Sequence, residues 1–341
     1  MKHKSAHFRF YEYVLFLLVT LATMCLCLCI GSVSIPLRDT LHTLRDALTG
    51  QLQNDSTSAI LLSTRLPRVL CVALCGAALS LAGAAMQGLL KNPLADGSTL
   101  GVSSGASLGA VLAIAFGISF PGLPFAGSMV MAVIFAFLSL LLILGLAYKL
   151  DCSLSTNTII LIGVIFSMFM SSAISVVITF ASDRLQSITF WTMGSLQNSS
   201  YRNALILAVS LLVIGSVLFL HARELNAFAV GEDNARHVGV NVRRTKLIIL
   251  IAVSVLIGVC VSIAGTISFV GLVTPHMTRM LVGPNHKRLL PAATFGGAVF
   301  LLLADLVARI VCIPLVLPIG VVTSLVGAVV FIFIFYHSRK G

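Results

Sequence analysis

Arg65 and Arg68 stand three residues apart in the run Arg65-Leu66-Pro67-Arg68. Each guanidinium offers a planar fork of donors that matches a carboxylate. Pro67 is expected at the start of a helix, which would present both forks outward to an acidic partner. The same spacing also suits two arginines snorkelling to lipid headgroups. Asp305 lies four residues before Arg309. An acid within an apolar span is a candidate proton relay, or more simply the i,i+4 partner of that arginine. His276 follows Pro275, where it could ligate a metal or satisfy backbone groups that the proline frees. The eight cysteines form no C-x-x-C pair; Cys25, Cys27 and Cys29 alternate, and Cys71 and Cys75 lie one turn apart. They read as small apolar filler, not metal ligands. Met86, Met129, Met131, Met168 and Met170 could line a smooth wall or fill the core. No G-x-x-x-x-G-K-[ST] run is present, nor a nucleophile–base constellation. The chain is therefore expected to hydrolyse nothing by itself and to hold no cofactor or metal.

The elements that position these residues follow from composition. The chain has 341 residues, is 58% hydrophobic and only 10% charged, where a soluble domain carries roughly a quarter. This predicts an all-α polytopic membrane protein, one transmembrane domain over residues 1–341. The net charge of +11 then reads as basic loops on one side of a bilayer, with lipid and not nucleic acid as the neighbour.

About ten spans can be drawn: 13–33, 66–90, 99–117, 123–148, 156–180, 203–220, 247–264, 269–282, 289–310 and 317–337. The first resembles a signal peptide but is too long and lacks a clear cleavage site. The eighth is short and holds Pro275. With both termini cytoplasmic, all seven lysines fall inside, as the positive-inside rule asks. Trp191 sits in an outer loop as an interface anchor.

Three stretches interrupt or decorate this frame. Gly76, Ser80, Ala84 and Gly88 form a small-residue stripe, and Gly101, Gly105 and Gly109 form another; such stripes let helix backbones approach closely. Between them, Asn92-Pro93 and Asp96-Gly97 mark turns. Residues 220–246 are polar, and two short helices can be read there, one over 224–230 and one opening at Gly231-Glu232-Asp233 and ending near Gly239. That loop reads as a docking surface for a soluble partner, or as a solvated connector.

The run RLPRVLCVALCGAALSLAGAAMQGLLKNPLADGSTLGVSSGAS resembles the FecCD-type permeases, the membrane subunits of ABC importers for iron-siderophores, haem and cobalamin. The likeness continues through Trp191-Thr192-Met193-Gly194-Ser195-Leu196, Gly231-Glu232-Asp233-Asn234-Ala235-Arg236, Phe269-Val270-Gly271-Leu272-Val273-Thr274-Pro275-His276, Leu303-Ala304-Asp305-Leu306-Val307-Ala308-Arg309 and Leu317-Pro318-Ile319-Gly320.

The resemblance implies a cobalamin-permease-like fold working as a homodimer or with a paralogous protomer in the bacterial cytoplasmic membrane. It implies that Arg65, Arg68 and Arg309 dock an extracytoplasmic binding protein. Gly231, Glu232, Ala235, Arg236 and Gly239 would belong to the segment, about 221–246, that couples to a cytoplasmic ATPase dimer, which holds the ATP and Mg. Ser155 and Thr156, after Leu154, would form an inner gate. Gly76, Ser80, Ala84, Asn92, Pro93, Gly101 and Gly105 would serve packing or the pathway. Gly97 stands where the pattern often has proline, and Gly327-Ala328-Val329 lacks a proline common in the last span. A bulky metal chelate, with ferric siderophore foremost, is the expected cargo. The rival expectations are an ion-coupled secondary transporter built on Asp305 and a non-transporting membrane receptor.

Overall fold

The computed structural model describes residues 9–31, 33–50, 55–97, 100–119, 126–151 and 155–338. Lys2, Lys4, Ser98, Thr99, Leu123, Leu154, Arg339 and Lys340 lie outside the described residues. Those described form helices and connecting turns. In chain order the helices are α1 Phe10–Cys29, α2 Leu37–Thr49, α3 Ser56–Leu89, α4 Val102–Ala115, α5 Ala126–Leu150, α6 Thr156–Phe180 and α7 Leu185–Thr192. There follow α8 Tyr201–Leu220, α9 Ala222–Val230, α10 Glu232–His237, α11 Val242–Ala264, α12 Val270–Val282, α13 His286–Ile310 and α14 Ile319–Ser338.

Each of the ten stretches read as spans contains a helix among its described residues. Seven of them, α1, α3, α5, α6, α8, α11 and α13, are long and apolar enough to cross a membrane unaided. Of the remaining three, α4 and the Ile319–Phe333 part of α14 are shorter apolar runs, and α12 is a short helix holding Pro275. The thirteen residues of α12 reach about 20 Å at 1.5 Å per residue, short of the roughly 30 Å hydrocarbon layer. That helix is flanked by α3, α13 and α14, and Val273, Thr274 and Pro275 are buried.

Helix α3 is the central post. Twenty of the residues 66–89 are buried, and α8, α9, α11, α12 and α13 pack around it. Its small residues explain why. A side-chain carbon on Gly76 would strike the carbonyl of Gly297, and one on Gly83 would strike the carbonyl of Gly271. Thr274 Oγ1 donates to Ser80 Oγ at 2.6 Å across the α3–α12 contact. The second stripe packs α4 on α5, with Gly105 against Ser139 and Gly109 against Met131 and Phe135. Large apolar side chains such as Leu18, Phe137, Ile165, Phe169 and Leu212 point outward, the inside-out distribution that a lipid solvent produces.

The start of α3 differs from expectation. The helix begins at Ser56, capped by Asp55, whose Oδ1 accepts from Ser58 N at 2.8 Å. The Ser58 hydroxyl and N–H hold the Asp55 carboxyl below its usual range. Pro67 is thus inside a continuous helix and not at its start. The chain tolerates it by widening to a π-helical turn over Ile60–Arg65. In that wide turn residue 67 faces the carbonyl of Leu62, and proline has no N–H to give. The hydroxyl of Tyr201 on α8 donates to that carbonyl instead, at 2.5 Å.

Candidate functional site

At one end of the bundle, Arg65, Arg68 and Arg309 converge on Asp305 and on the C-terminus of α1. Arg68 Nε and Nη2 both donate to Asp305 Oδ1, at 3.0 and 2.7 Å. Arg309 Nε lies 3.0 Å from Asp305 Oδ2, in a contact too bent to be a hydrogen bond. Arg309 Nη1 donates to Cys27 O at 3.1 Å and Ile30 O at 3.2 Å. Arg65 Nη1 donates to Leu28 O at 2.6 Å and Cys29 O at 3.2 Å, and its Nη2 donates to Val33 O. The last carbonyls of a helix lack partners within it and carry its negative dipole end; two guanidiniums supply both needs for α1. Gly31 leaves the room, since a side-chain carbon there would stand 3.1 Å from Arg65 Nη2.

This arrangement corrects the expected orientation. Arg65, Arg68 and Arg309 are 7%, 9% and 5% exposed, so their forks turn inward onto Asp305 and α1. Neither outward presentation nor snorkelling describes them. The physical reason is Asp305, only 1% exposed, whose charge in an apolar interior demands cations. Its pairing with Arg309 across one helical turn follows the simpler of the two readings of the sequence.

At the opposite end lie the two short helices of the polar loop, α9 and α10. Gly231 joins them at φ +147°, and Gly239 ends α10 at φ +86°. Ala235 is fully buried, while Arg236 and Asp233 make an exposed pair at 3.5 Å. Val230 and Val238 are exposed beside them. Asn226 Nδ2 donates to Asn285 Oδ1 at 2.9 Å, and His286 N donates to Asn226 Oδ1 at 2.8 Å, tying α9 to the start of α13. Glu232 Oε1 is 2.6 Å from Lys246 Nζ on α11. The same oxygen accepts from Thr156 Oγ1 on α6 at 3.4 Å. Thr156 and Glu232, read separately in the sequence, are thus brought together. Ser155 caps α6: its N–H donates to Asp151 Oδ2 at 3.0 Å, and its Oγ lies 2.8 Å from Thr158 Oγ1. Lys91, Lys149, Lys246 and Lys287 all lie at this end, at the tips of α3 and α5, in the second turn of α11 and in the first turn of α13.

Between the two ends the expected small-residue positions serve packing and turns. Gly76, Ser80 and Ala84 are buried in α3. Asn92 Oδ1 accepts from Leu94 N at 2.9 Å, closing a turn around Pro93. Gly101 starts α4 at φ +73°.

One residue that sequence reasoning missed is Gln87. Pro275 removes the N–H that would bond Gly271 O. Gln87 Nε2 lies 3.4 Å from Gly271 O and 3.1 Å from Leu272 O, and Gln87 Oε1 accepts from Arg279 Nη2 at 3.0 Å. His276, expected as a candidate for that task, has a buried Nδ1 with no hydrogen-bond partner among the described residues, and its ring lies edge-on to Phe331. Among the described residues no cluster of three or more His, Cys, Asp or Glu could hold a metal ion.

The profile of the FecCD transport family covers residues 18–337. The chain belongs to the FecCD transport family. An uncharacterized ABC transporter permease protein of Bacillus subtilis is 41% identical over 337 residues, covering 98% of this chain and 95% of that one. The hemin transport system permease protein of Yersinia pestis is 37% identical over 331 residues, 95% of each chain. A solved structure described as an inward-facing ABC transporter of metal-chelate type superposes with a TM-score of 0.83 at 32% identity, over 96% of this chain and 99% of that one. These relatives make the chain a multi-pass membrane permease subunit, a transporter component rather than an enzyme.

Proposed function

We propose that this chain is the membrane subunit of an ABC importer that moves a bulky metal chelate, ferric siderophore or haem foremost, into a bacterial cytoplasm by alternating access. The hemin permease relative and the metal-chelate structural neighbour support that cargo class. In this reading α1, α3–α6, α8 and α11–α14 make ten spans with both termini inside. The end that gathers Lys91, Lys149, Lys246 and Lys287 is the cytoplasmic one. A second permease protomer completes the path, and a cytoplasmic ATPase dimer supplies ATP and Mg.

The observation that carries the reading is the polar segment of α9 and α10. It exposes Val230, Val238 and the Asp233–Arg236 pair to a soluble partner, yet is bonded inward to α6, α11 and α13. A solvated connector needs none of those inward bonds. At the other end, three arginines against one aspartate leave an excess of positive charge. Arg309 Nη2 has no hydrogen-bond partner among the described residues. This supports the docking of a binding protein's carboxylates there, through the field of the cluster and a local opening of its cover.

Asp305 is spent on two arginines near a span's end, which removes the ground for an ion-coupled transporter built on it. The test is ATP hydrolysis by the assembled complex in lipid nanodiscs. Stimulation by cargo-loaded binding protein is expected. Hydrolysis indifferent to a binding protein that is shown to bind would overturn the importer reading in favour of a receptor.

A further inference from the structure

An open crevice of about 540 Å³ lies between α1, α8 and α13, at the end of the bundle that gathers the lysines. Its walls include Tyr13 of α1, Phe219 of α8, and Lys287, Pro291 and Phe295 of α13. Tyr13 is in the first turn of α1 and Phe219 in the last turn of α8, so the mouth of the crevice sits where the spans leave the bilayer. Lys287, Pro291 and Phe295 follow one another at intervals of four residues, which stacks them on one face of α13. Phe295 is therefore about 12 Å deeper than Lys287 at 1.5 Å per residue. That depth approaches the roughly 15 Å of one hydrocarbon leaflet, half of the full layer. The crevice is thus cationic at headgroup level and aromatic below it.

The cation at the mouth is not neutralised by the acid beside it. Glu12 Oε1 accepts from Arg288 Nη2 at 2.5 Å, and its Oε2 accepts from the N–H of Arg9 at 2.7 Å. Lys287 is half-buried and joins none of the ion pairs among the described residues. At the starts of α1, α9 and α13, Arg9, Arg223, Lys287 and Arg288 outnumber Glu12 and Glu224. In a bilayer the slot itself is filled by an acyl chain, because a chain is the solvent there. The apolar walls accept any lipid; the ammonium above them selects the headgroup. Basic recesses between spans on the cytoplasmic side are suited to anionic lipid headgroups.

We propose that this crevice is a binding site for an anionic glycerophospholipid, with its phosphate on Lys287 and an acyl chain against Phe219 and Phe295. The site needs only that this end of the bundle meets a headgroup layer. It goes beyond the importer reading and does not depend on it.

The experiment places a tryptophan in the crevice. Phe219→Trp is made in a Trp191→Phe background, which leaves one tryptophan in the chain. The full-length permease is reconstituted in phosphatidylcholine vesicles. Quenching of that tryptophan is measured with dibrominated phosphatidylglycerol and, separately, with dibrominated phosphatidylcholine as a minor component. Phosphatidylglycerol is expected to quench as though it were at least about fivefold more abundant than it is, the selectivity of one cation at a lipid surface. Lys287→Met should bring the two lipids to parity, and Lys287→Arg should keep the preference. Parity in the parent chain would overturn the site without recourse to any Lys287 variant. A preference that survives Lys287→Met would overturn it too, since the general positive charge of this end would then suffice. Millimolar inorganic phosphate, compared with sodium chloride at the same ionic strength, should leave the quenching unchanged; its loss to phosphate would identify a site for a soluble anion and overturn the lipid assignment.

Discussion

Replacing Asp305 by asparagine keeps its shape and removes its charge. The consequence can be worked from its surroundings. Asp305 is 1% exposed, and the Arg68 and Arg309 side chains are 11% and 6% exposed. Removing one partner of a buried ion pair costs about 3–5 kcal/mol. Two features favour the lower figure. Arg309 keeps its bonds to Cys27 O and Ile30 O, and the asparagine oxygen can still accept from Arg68. A loss of about 3 kcal/mol at about 2 °C per kcal/mol lowers the melting midpoint by roughly 6 °C. The assay is thermal unfolding of the detergent-purified permease, followed by tryptophan and tyrosine fluorescence. Arg68→Met and the double variant Arg68→Met/Asp305→Asn complete a cycle. The two single losses should fail to add by about 1 kcal/mol or more, since each removes the same pair. A midpoint within about 1 °C of wild type in Asp305→Asn, or simple additivity, would refute the claim that Asp305 holds the cluster.

Three further outcomes follow from the same packing. Gln87→Leu removes the side-chain donor to the carbonyl of Gly271, whose helical N–H partner Pro275 lacks, and the acceptor of one Arg279 N–H; a destabilisation of about 1–3 kcal/mol should appear as a lower unfolding midpoint. Gly83→Ala places a methyl on the carbonyl of Gly271 where α3 crosses α12; the strain of about 1–3 kcal/mol should be read by the same unfolding assay, whereas Gly145→Ala, with open space around it, should be neutral. Val238→Asp touches a side chain that is 72% exposed, so melting should hold while the ATPase washes off in a pull-down at lower salt than from the wild type.

The polar loop was legible because its charge contrasts with everything around it, and Gly231 and Gly239 punctuate it. The ion pair between Asp305 and Arg309 was legible because four residues make about one helical turn. The bonds that complete both ends were not. Arg68 meets Asp305 across 237 positions, and Thr156 meets Glu232 across 76. No periodicity encodes such pairs; only the packing of α3 on α13, and of α10 beside α6 and α11, creates them. Hydropathy marked where the apolar stretch of α3 begins but not where the helix begins, because the ten preceding residues are helical without being uniformly apolar. Proline at position 67 reads as a helix start by preference, and the wide turn that lets it stand inside one leaves no local signal. Gln87 gave no sign for a related reason. Its task is defined by a proline on another helix.

The central claim is that this permease imports its cargo at the expense of ATP hydrolysed by a partner. It is tested most directly by uptake into proteoliposomes that hold the complete complex. Ferric siderophores, haem and cobalamin are offered outside with the binding protein, and ATP is enclosed where the ATPase faces. The account predicts accumulation of one of these chelates that requires ATP and the binding protein and is indifferent to a proton gradient. Accumulation driven by a proton gradient without ATP, or none at all from an ATPase-active complex, would contradict it.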